Sequence, residues 1–311
     1  MKLPSALRLS PTWAPYALLS PFFALFLVFG TFPLAFSLYL AFQSWEPTSG
    51  LGAMHFVGFG NFAFSLQDEW FWKSLRNTGW LAVASGVPQH LVAIPLAAFI
   101  HGRFKRLRDA VVGAYFLPYI TSTVAIAILF SSLFSTDYGL INQGLAALAR
   151  VPLLGALLPA HPVDWLGQPE HIKPAIALIV FWRYVGFNVV LYLAALQTIP
   201  KDLYEAATMD GASRLQQFRY ITLPSLRPMI YFGVTLSVIG GLQLFEEPFI
   251  LTGGRGGSDQ AGMTTAMYLY RTAFDFDDFG AASAMSWLLF IVVVALTWLT
   301  HRAFATKGAR P

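Results

Sequence analysis

The sequence predicts an all-α polytopic membrane protein with about six transmembrane helices. Composition is the first reason. Of 311 residues, 56% are hydrophobic and only 12% are charged, against about 25% charged in an ordinary soluble domain, which leaves no room for a large soluble domain. Patterning is the second. The apolar residues gather into runs of ~20 or more, the length that a helix rising ~1.5 Å per residue needs to cross a hydrocarbon core of ~30 Å. Charge placement is the third: Lys and Arg cluster in alternate connections between those runs, as the positive-inside rule requires.

Taken in order, the runs are Tyr16–Phe42, Leu75–Ile100, Val111–Phe134, Ile172–Leu196, Met229–Leu251 and Phe279–Thr300. The first follows a segment 1–15 that carries Lys2 and Arg8. It is too long, and lacks the small-residue cleavage site, for a removable signal; it reads as an uncleaved span that Pro21 and Pro33 kink or bound. The second holds Gln89 and His90 beside Pro88. Polar groups at that depth either bond neighbouring helices or face a wet cavity. The third contains Leu117-Pro118 and then Thr121, Ser122 and Thr123, hydroxyls suited to the carbonyls a proline leaves free. Between the third and fourth runs, apolar residues in Leu145–Leu158 predict a short helix lying on the outer surface. The fifth has a Gly240-Gly241 pair, for close packing or for lining a cavity, and Glu246 and Glu247 near its outer end, with Glu247 expected at a solvated rim.

With the N-terminus inside, the inner set is Lys2, Arg8, Arg103, Lys105, Arg106, Arg108, Lys201, Arg214, Arg219, Arg227, Arg302, Lys307 and Arg310. The outer set is Lys73, Arg76, Arg150, Lys173, Arg255 and Arg271. The bias puts both termini in the cytosol. The net charge of +4 is thus a sidedness signal, not a nucleic-acid footprint. The basic loop 102–109 serves as a topology anchor, and the same charges suit anionic lipid headgroups. The expected division is a cytosolic N-terminus 1–15, a membrane domain 16–301 with a cytosolic loop 199–228, and a cytosolic tail 302–311.

Several chemistries are excluded. There is no Cys, hence no disulfide or thiolate metal site. No Gly-x-x-x-x-Gly-Lys-Ser/Thr loop occurs; Lys307-Gly308 runs in the wrong order, so the chain has no phosphate cradle of its own. His161 and His171 lack metal spacing, and no Ser/His/Asp set sits in a nucleophile motif. Neither catalytic nor metal-ligating residues are expected.

The loop after the fourth run is the most informative stretch. Leu203, Ala206, Ala207 and Asp210 recur at helical spacing, Gly211 permits a turn, and Pro224 and Pro228 reset the chain. A short helix, a glycine turn and a second short helix are expected. Glu205-Ala206-Ala207, Gly211 and Ile221-x-Leu223-Pro224 resemble the cytoplasmic "EAA" loop of permease subunits in binding-protein-dependent ABC importers. Leu196-Gln197-x-Ile199-Pro200 resembles the carbohydrate-uptake branch, with the maltose, lactose and glycerol-3-phosphate permeases. Gly58-Phe59-x-Asn61-Phe62, Asn77-Thr78, Leu117-Pro118, Gly139-x-Ile141-Asn142 and Thr252-Gly253-Gly254 look similar to further motifs of that branch, the last without the family's proline.

The resemblance implies a type I importer permease of the bacterial inner membrane. It implies that Tyr204, Glu205, Ala206, Ala207, Met209, Asp210 and Gly211 dock on a dimeric cytosolic ATPase, which binds the ATP and Mg. It also implies a second homologous permease and an extracytoplasmic substrate-binding protein. It places the substrate path along the fourth and fifth runs. Arg183, about halfway along the fourth, costs ~2.5–3.5 kcal/mol at mid-membrane and must find water, an acidic partner or carbonyls. One reading puts Arg183, Tyr184, Phe187, Asn188, Gln243, Phe245 and Glu246 along a sugar path; the other makes Arg183 part of a buried Arg–Glu pair. The rivals for the whole chain are an ion-gradient-driven secondary transporter, a membrane-embedded enzyme and an importer permease for amino acids or peptides.

Overall fold

The computed structural model describes residues 10, 12–103, 108–151, 155, 158–159 and 161–305. Lys2, Arg8, Lys105, Arg106, Lys307 and Arg310 lie outside the described residues, as do parts of the expected helix 145–158. By packing, the chain divides into two compact units, one made of Met1–Gln67 with Leu269–Leu288 and the other of Asp68–Tyr268 with Leu289–Pro311.

In the first unit α1 runs from Ala14 to Leu40. A π turn at Leu27–Thr31 widens it just before Pro33, whose missing N–H interrupts the helical ladder. A minimal hairpin follows, β1 (Gln43–Ser44) antiparallel to β2 (His55–Phe56) with Gln43 opposite Phe56, and then α2, Gly60–Gln67. Asn61 secures the turn out of α1 by donating to the carbonyls of Ala41 (3.1 Å) and Gln43 (2.8 Å).

The second unit contains α3 (Glu69–Arg103), α4 (Arg108–Ile120), α5 (Thr123–Leu133), α6 (Leu140–Leu148), α7 (Pro169–Leu196), α8 (Lys201–Met209), α9 (Arg214–Gln217), α10 (Arg227–Leu242) and α11 (Glu246–Leu251). The last helices, α12 (Thr265–Phe274) and α13 (Phe279–Phe304), cross the boundary between units in sequence. Five helices are long and apolar enough to cross a membrane, and a sixth crossing results if the bent pair α4 and α5 is one span.

The core of the second unit is built around α7. Its Val189, Tyr192, Leu193 and Leu196 pack with Ala93, Ala97 and Ile100 of α3. Ile172, Ile176 and Val180 meet Leu81, Leu244 and Ala261, and Ala175 and Ile179 meet Ile126, Phe130 and Phe134. A helix apolar on all sides is what such surroundings demand. Close approach is also needed: a Cβ at Gly186 would collide with the carbonyl oxygen of Tyr115 on α4. Short polar ties fix the periphery. Asn77 donates to the carbonyl oxygens of Gln260 (3.2 Å) and Met263 (3.1 Å), and Asn142 donates to Val163 O (2.9 Å) while accepting from Trp165 Nε1 (3.0 Å).

The structure refines three expectations. Val111–Phe134 is not one straight span: α4 and α5 meet at 91°. The reset is at Ser122, whose ψ of 129° is extended, and Thr121 Oγ1 donates to the Leu117 carbonyl (2.8 Å) at the end of α4. The fifth expected run, Met229–Leu251, matches a candidate span Arg227–Leu251, with an interruption inside it, since α10 stops at Leu242 and α11 begins at Glu246. A short helix is present but starts at Leu140, ahead of the apolar stretch Leu145–Leu158.

Candidate functional site

Two features stand out, both within the second unit. The first is a cavity of about 210 Å³ lined from α3 by Ser85, Gly86 and Gln89, from α4 by Tyr119, from α7 by Val180, Tyr184, Phe187 and Asn188, and from α10 by Leu236, Ser237, Gly240 and Gly241, with Leu244 beyond it. Spacing explains the wall: Ser85 with Gln89, Tyr184 with Asn188, and Ser237 with Gly241 are each four apart, so each pair lies on one helical face.

Hydrogen bonds between helices hold this wall. Gln89 Nε2 donates to the Val180 carbonyl (3.3 Å), and its Oε1 accepts from Asn188 Nδ2 (3.1 Å). His90 joins three helices, with Nδ1 2.7 Å from the Tyr192 hydroxyl and Nε2 3.0 Å from that of Ser237. A neutral imidazole has one donor and one acceptor nitrogen, so one hydroxyl donates and the other accepts. Of the two sequence readings for Gln89 and His90, Gln89 satisfies both; His90 bonds helices from outside the wall. Tyr119 stacks on Phe187 (centroids 4.8 Å apart) and meets Tyr184 at 5.8 Å.

Of the residues placed on the substrate path, Tyr184, Phe187 and Asn188 come together on this wall, whereas Arg183, Gln243, Phe245 and Glu246 do not line it. Arg183 is buried, and its Nη1 donates to Glu247 Oε1 at 2.6 Å. Glu247 is only 3% exposed, so the solvated rim expected for it is wrong: the Arg183 guanidinium on α7 draws the carboxylate inward, because an unpaired Arg at this depth is costly. Glu246 accepts from Thr123 Oγ1 (2.6 Å). Two consecutive carboxylates of α11 therefore tie it to α7 and to the first residue of α5, beside both helix breaks. Gln243 and Phe245 form the break before α11. Sequence reasoning missed Ser85, Gly86, Tyr119 and Ser237; the i, i+4 relation of Ser85 to Gln89 was the available signal.

The second feature is the platform between α7 and α10. α8 starts after Pro200 and stops at Gly211, whose φ of +77° an L side chain rarely adopts. Ala212 N–H reaches the Ala207 carbonyl (2.9 Å) and Gly211 N–H that of Thr208 (3.0 Å), the paired bonds of a Schellman end. Ser213 then caps α9 reciprocally with Gln216, a capping box. Gln217 Nε2 donates back to Thr208 Oγ1 (3.0 Å), and the Tyr204 and Thr222 hydroxyls lie 2.9 Å apart. The helix, turn and helix expected from the sequence are thus present and braced to one another. Glu205, Ala206, Asp210 and Gly211 are exposed, Tyr204 and Ala207 half-buried. Met209 is 88% exposed, and Leu203, Leu215 and Tyr220 add apolar surface.

Membrane-length helices around a polar-edged cavity, interrupted by an exposed helical platform, define a membrane permease. Residues 92–306 match the family described as "Binding-protein-dependent transport system inner membrane component", and the chain belongs to that family. It is accordingly a transport permease rather than an enzyme, and a multi-pass protein of the inner membrane. It is 35% identical to the lactose transport system permease protein LacF of Rhizobium radiobacter over 91% of each chain. It is 31% identical to the arabinooligosaccharides transport system permease protein AraP of Bacillus subtilis, over 92% of this chain and 87% of that one. A crystal structure of a bacterial ABC transporter involved in the import of the acidic polysaccharide alginate holds a similar chain: TM-score 0.75, 26% identity, and coverage of 94% of this chain and 95% of that one.

Proposed function

We propose that this chain is the permease subunit of an ATP-driven importer and forms half of the translocation path for a sugar or sugar derivative. The observation that carries the reading is the exposed, self-braced platform α8–Gly211–α9. It is helical enough to transmit force, its own hydrogen bonds hold it together, and it offers Met209, Leu215 and Tyr220 to solvent. A surface of this kind suits a partner groove. The partner is a dimeric cytosolic ATPase, which holds ATP and Mg; Tyr204, Glu205, Ala206, Ala207, Met209, Asp210 and Gly211 form the contact. The named relatives for lactose and arabinooligosaccharides support sugar as cargo.

The remaining partners are a second homologous permease and an extracytoplasmic substrate-binding protein, the latter supported by a similar alginate transporter crystallised with its substrate-bound periplasmic protein. Both termini are cytosolic. Closure of the ATPase dimer drives the platform as one body because α8 is cross-linked to α9 by Thr208–Gln217 and to the turn after α9 by Tyr204–Thr222. The platform continues into α10, which forms part of the cavity wall, so its displacement changes access to the cavity. Tyr184, Phe187 and Asn188 meet the sugar, with Arg183 and Glu246 behind them and Gln243 and Phe245 at the break where α10 ends. Coupling is reciprocal: a loaded binding protein that favours the closed ATPase is itself favoured by closure.

Uptake into vesicles holding the whole transporter tests the reading. With ATP retained and all ion gradients collapsed, uptake should persist. Its abolition would identify a gradient-driven carrier instead.

A further inference from the structure

The cavity wall is mostly apolar, with a few polar groups and no charge: none of the residues that line it is Lys, Arg, Asp or Glu. Among the described residues, the Tyr119 and Tyr184 hydroxyls and Asn188 Oδ1 make no hydrogen bond, which leaves one acceptor and two hydroxyls for a polyol. Tyr119 and Phe187, stacked on each other, add aromatic surface to the wall. At about 210 Å³, the space is below the ~300–1,000 Å³ of a drug-sized site and suits a single sugar ring.

A cation nevertheless stands one side chain away. The Arg183 guanidinium lies 5.5 Å from the centre of the Tyr184 ring, and that ring lines the cavity. Its Nε is buried without a hydrogen-bond partner, so Arg183 retains unspent capacity to bind an anion. Glu247 cancels its charge at 2.6 Å. In a low-dielectric interior an uncancelled Arg so near the wall would draw a carboxylate to it.

We propose that this path selects uncharged saccharides over acidic ones and that Glu247 is a specificity-determining residue, acting by neutralising Arg183 from outside the cavity. The proposal rests on the reading of the cavity as part of the sugar path. It separates this chain from the alginate transporter, which carries an acidic polysaccharide on a similar fold.

The test uses the permease–ATPase complex in nanodiscs without a binding protein. Methyl glucoside and methyl glucuronide serve as probes in ligand-observed NMR, and only signal lost in Leu236→Trp, which fills the cavity, is counted. The wild type should bind the glucoside at least about tenfold better than the glucuronide. Glu247→Gln should raise glucuronide binding by about tenfold. Equal binding of both probes by the wild type overturns the proposal. An unchanged preference in an assembled Glu247→Gln complex overturns the role of Glu247. If no signal is sensitive to Leu236→Trp, the cavity is not a sugar site, and the underlying reading fails with the proposal. Should Glu247→Gln not assemble, Leu236→Arg decides, because a half-exposed wall position then supplies the cation; failure to reverse the preference overturns the proposal.

Discussion

The α7 neighbourhood and the α8–α9 platform are consecutive in sequence and held together by opposite means. Around α7 the bonds are long-range: Arg183 to Glu247, Asn188 to Gln89 and Tyr192 to His90 join residues 64, 99 and 102 positions apart. In the platform nearly every bond closes within about twenty residues: Ala212 to Ala207, Ser213 with Gln216, Gln217 to Thr208, Tyr204 with Thr222. The lesson concerns mechanics. A region braced by its neighbours in sequence can move as a unit without loosening the helices it connects. A region braced across the fold cannot change without involving several helices at once.

Breaking each region should therefore yield different damage. The largest effect is expected from Arg183→Met, which leaves the Glu247 carboxylate buried and unpaired. Loss of one partner from a buried pair costs about 3–5 kcal/mol, so the unfolding midpoint in detergent should fall and assembly with it. The double change Arg183→Met with Glu247→Met should regain most of that loss, and a single variant as stable as wild type would contradict the pairing.

Next is Gly186→Val, which forces α7 away from the Tyr115 carbonyl; overpacking of this kind costs about 1–3 kcal/mol, again read from the midpoint. In the platform, Gly211→Val must hold a β-branched residue at a φ of +77°, for about 1–2 kcal/mol of local strain. The midpoint of the helices should stay put while ATP-driven uptake drops, a separation that sharpens the contrast.

Ser213→Ala removes a cap worth about 1 kcal/mol and should show as faster amide exchange over 213–217 only. Smallest in stability is Met209→Ser, within about 0.5 kcal/mol for a surface site. Its effect belongs in a pull-down, as weaker retention of the ATPase; undiminished retention would remove Met209 from the contact.

How legible each region was follows from the same difference. The platform could be read because its signals are local: Pro200 before a helix, Gly211 after it, Ser213 three residues ahead of Gln216. On the cavity wall, Tyr184, Phe187 and Asn188 were legible through their neighbour Arg183, a polar cluster in an apolar run. Ser85, Tyr119 and Ser237 were not, since a lone hydroxyl in a span has many innocuous placements. The bend between α4 and α5 was half visible, in Pro118 and the three hydroxyls after it, but its 91° angle depends on what α5 packs against.

The sequence alone determined that the chain is a membrane protein, approximately where its spans lie, and where a helical platform interrupts them. Tertiary structure decided which spans are enclosed by protein. α1 and α7 both pass as spans by length and apolarity, yet 6% of the apolar window is buried in the former and 61% in the latter. It also decided that Glu247, written next to Glu246, turns inward to Arg183. The reason in both cases is physical. Lipid tails are as apolar as a leucine side chain, so hydropathy cannot distinguish lipid from protein as a neighbour. The partner of a buried charge is chosen by proximity in space, which neither residue encodes by itself.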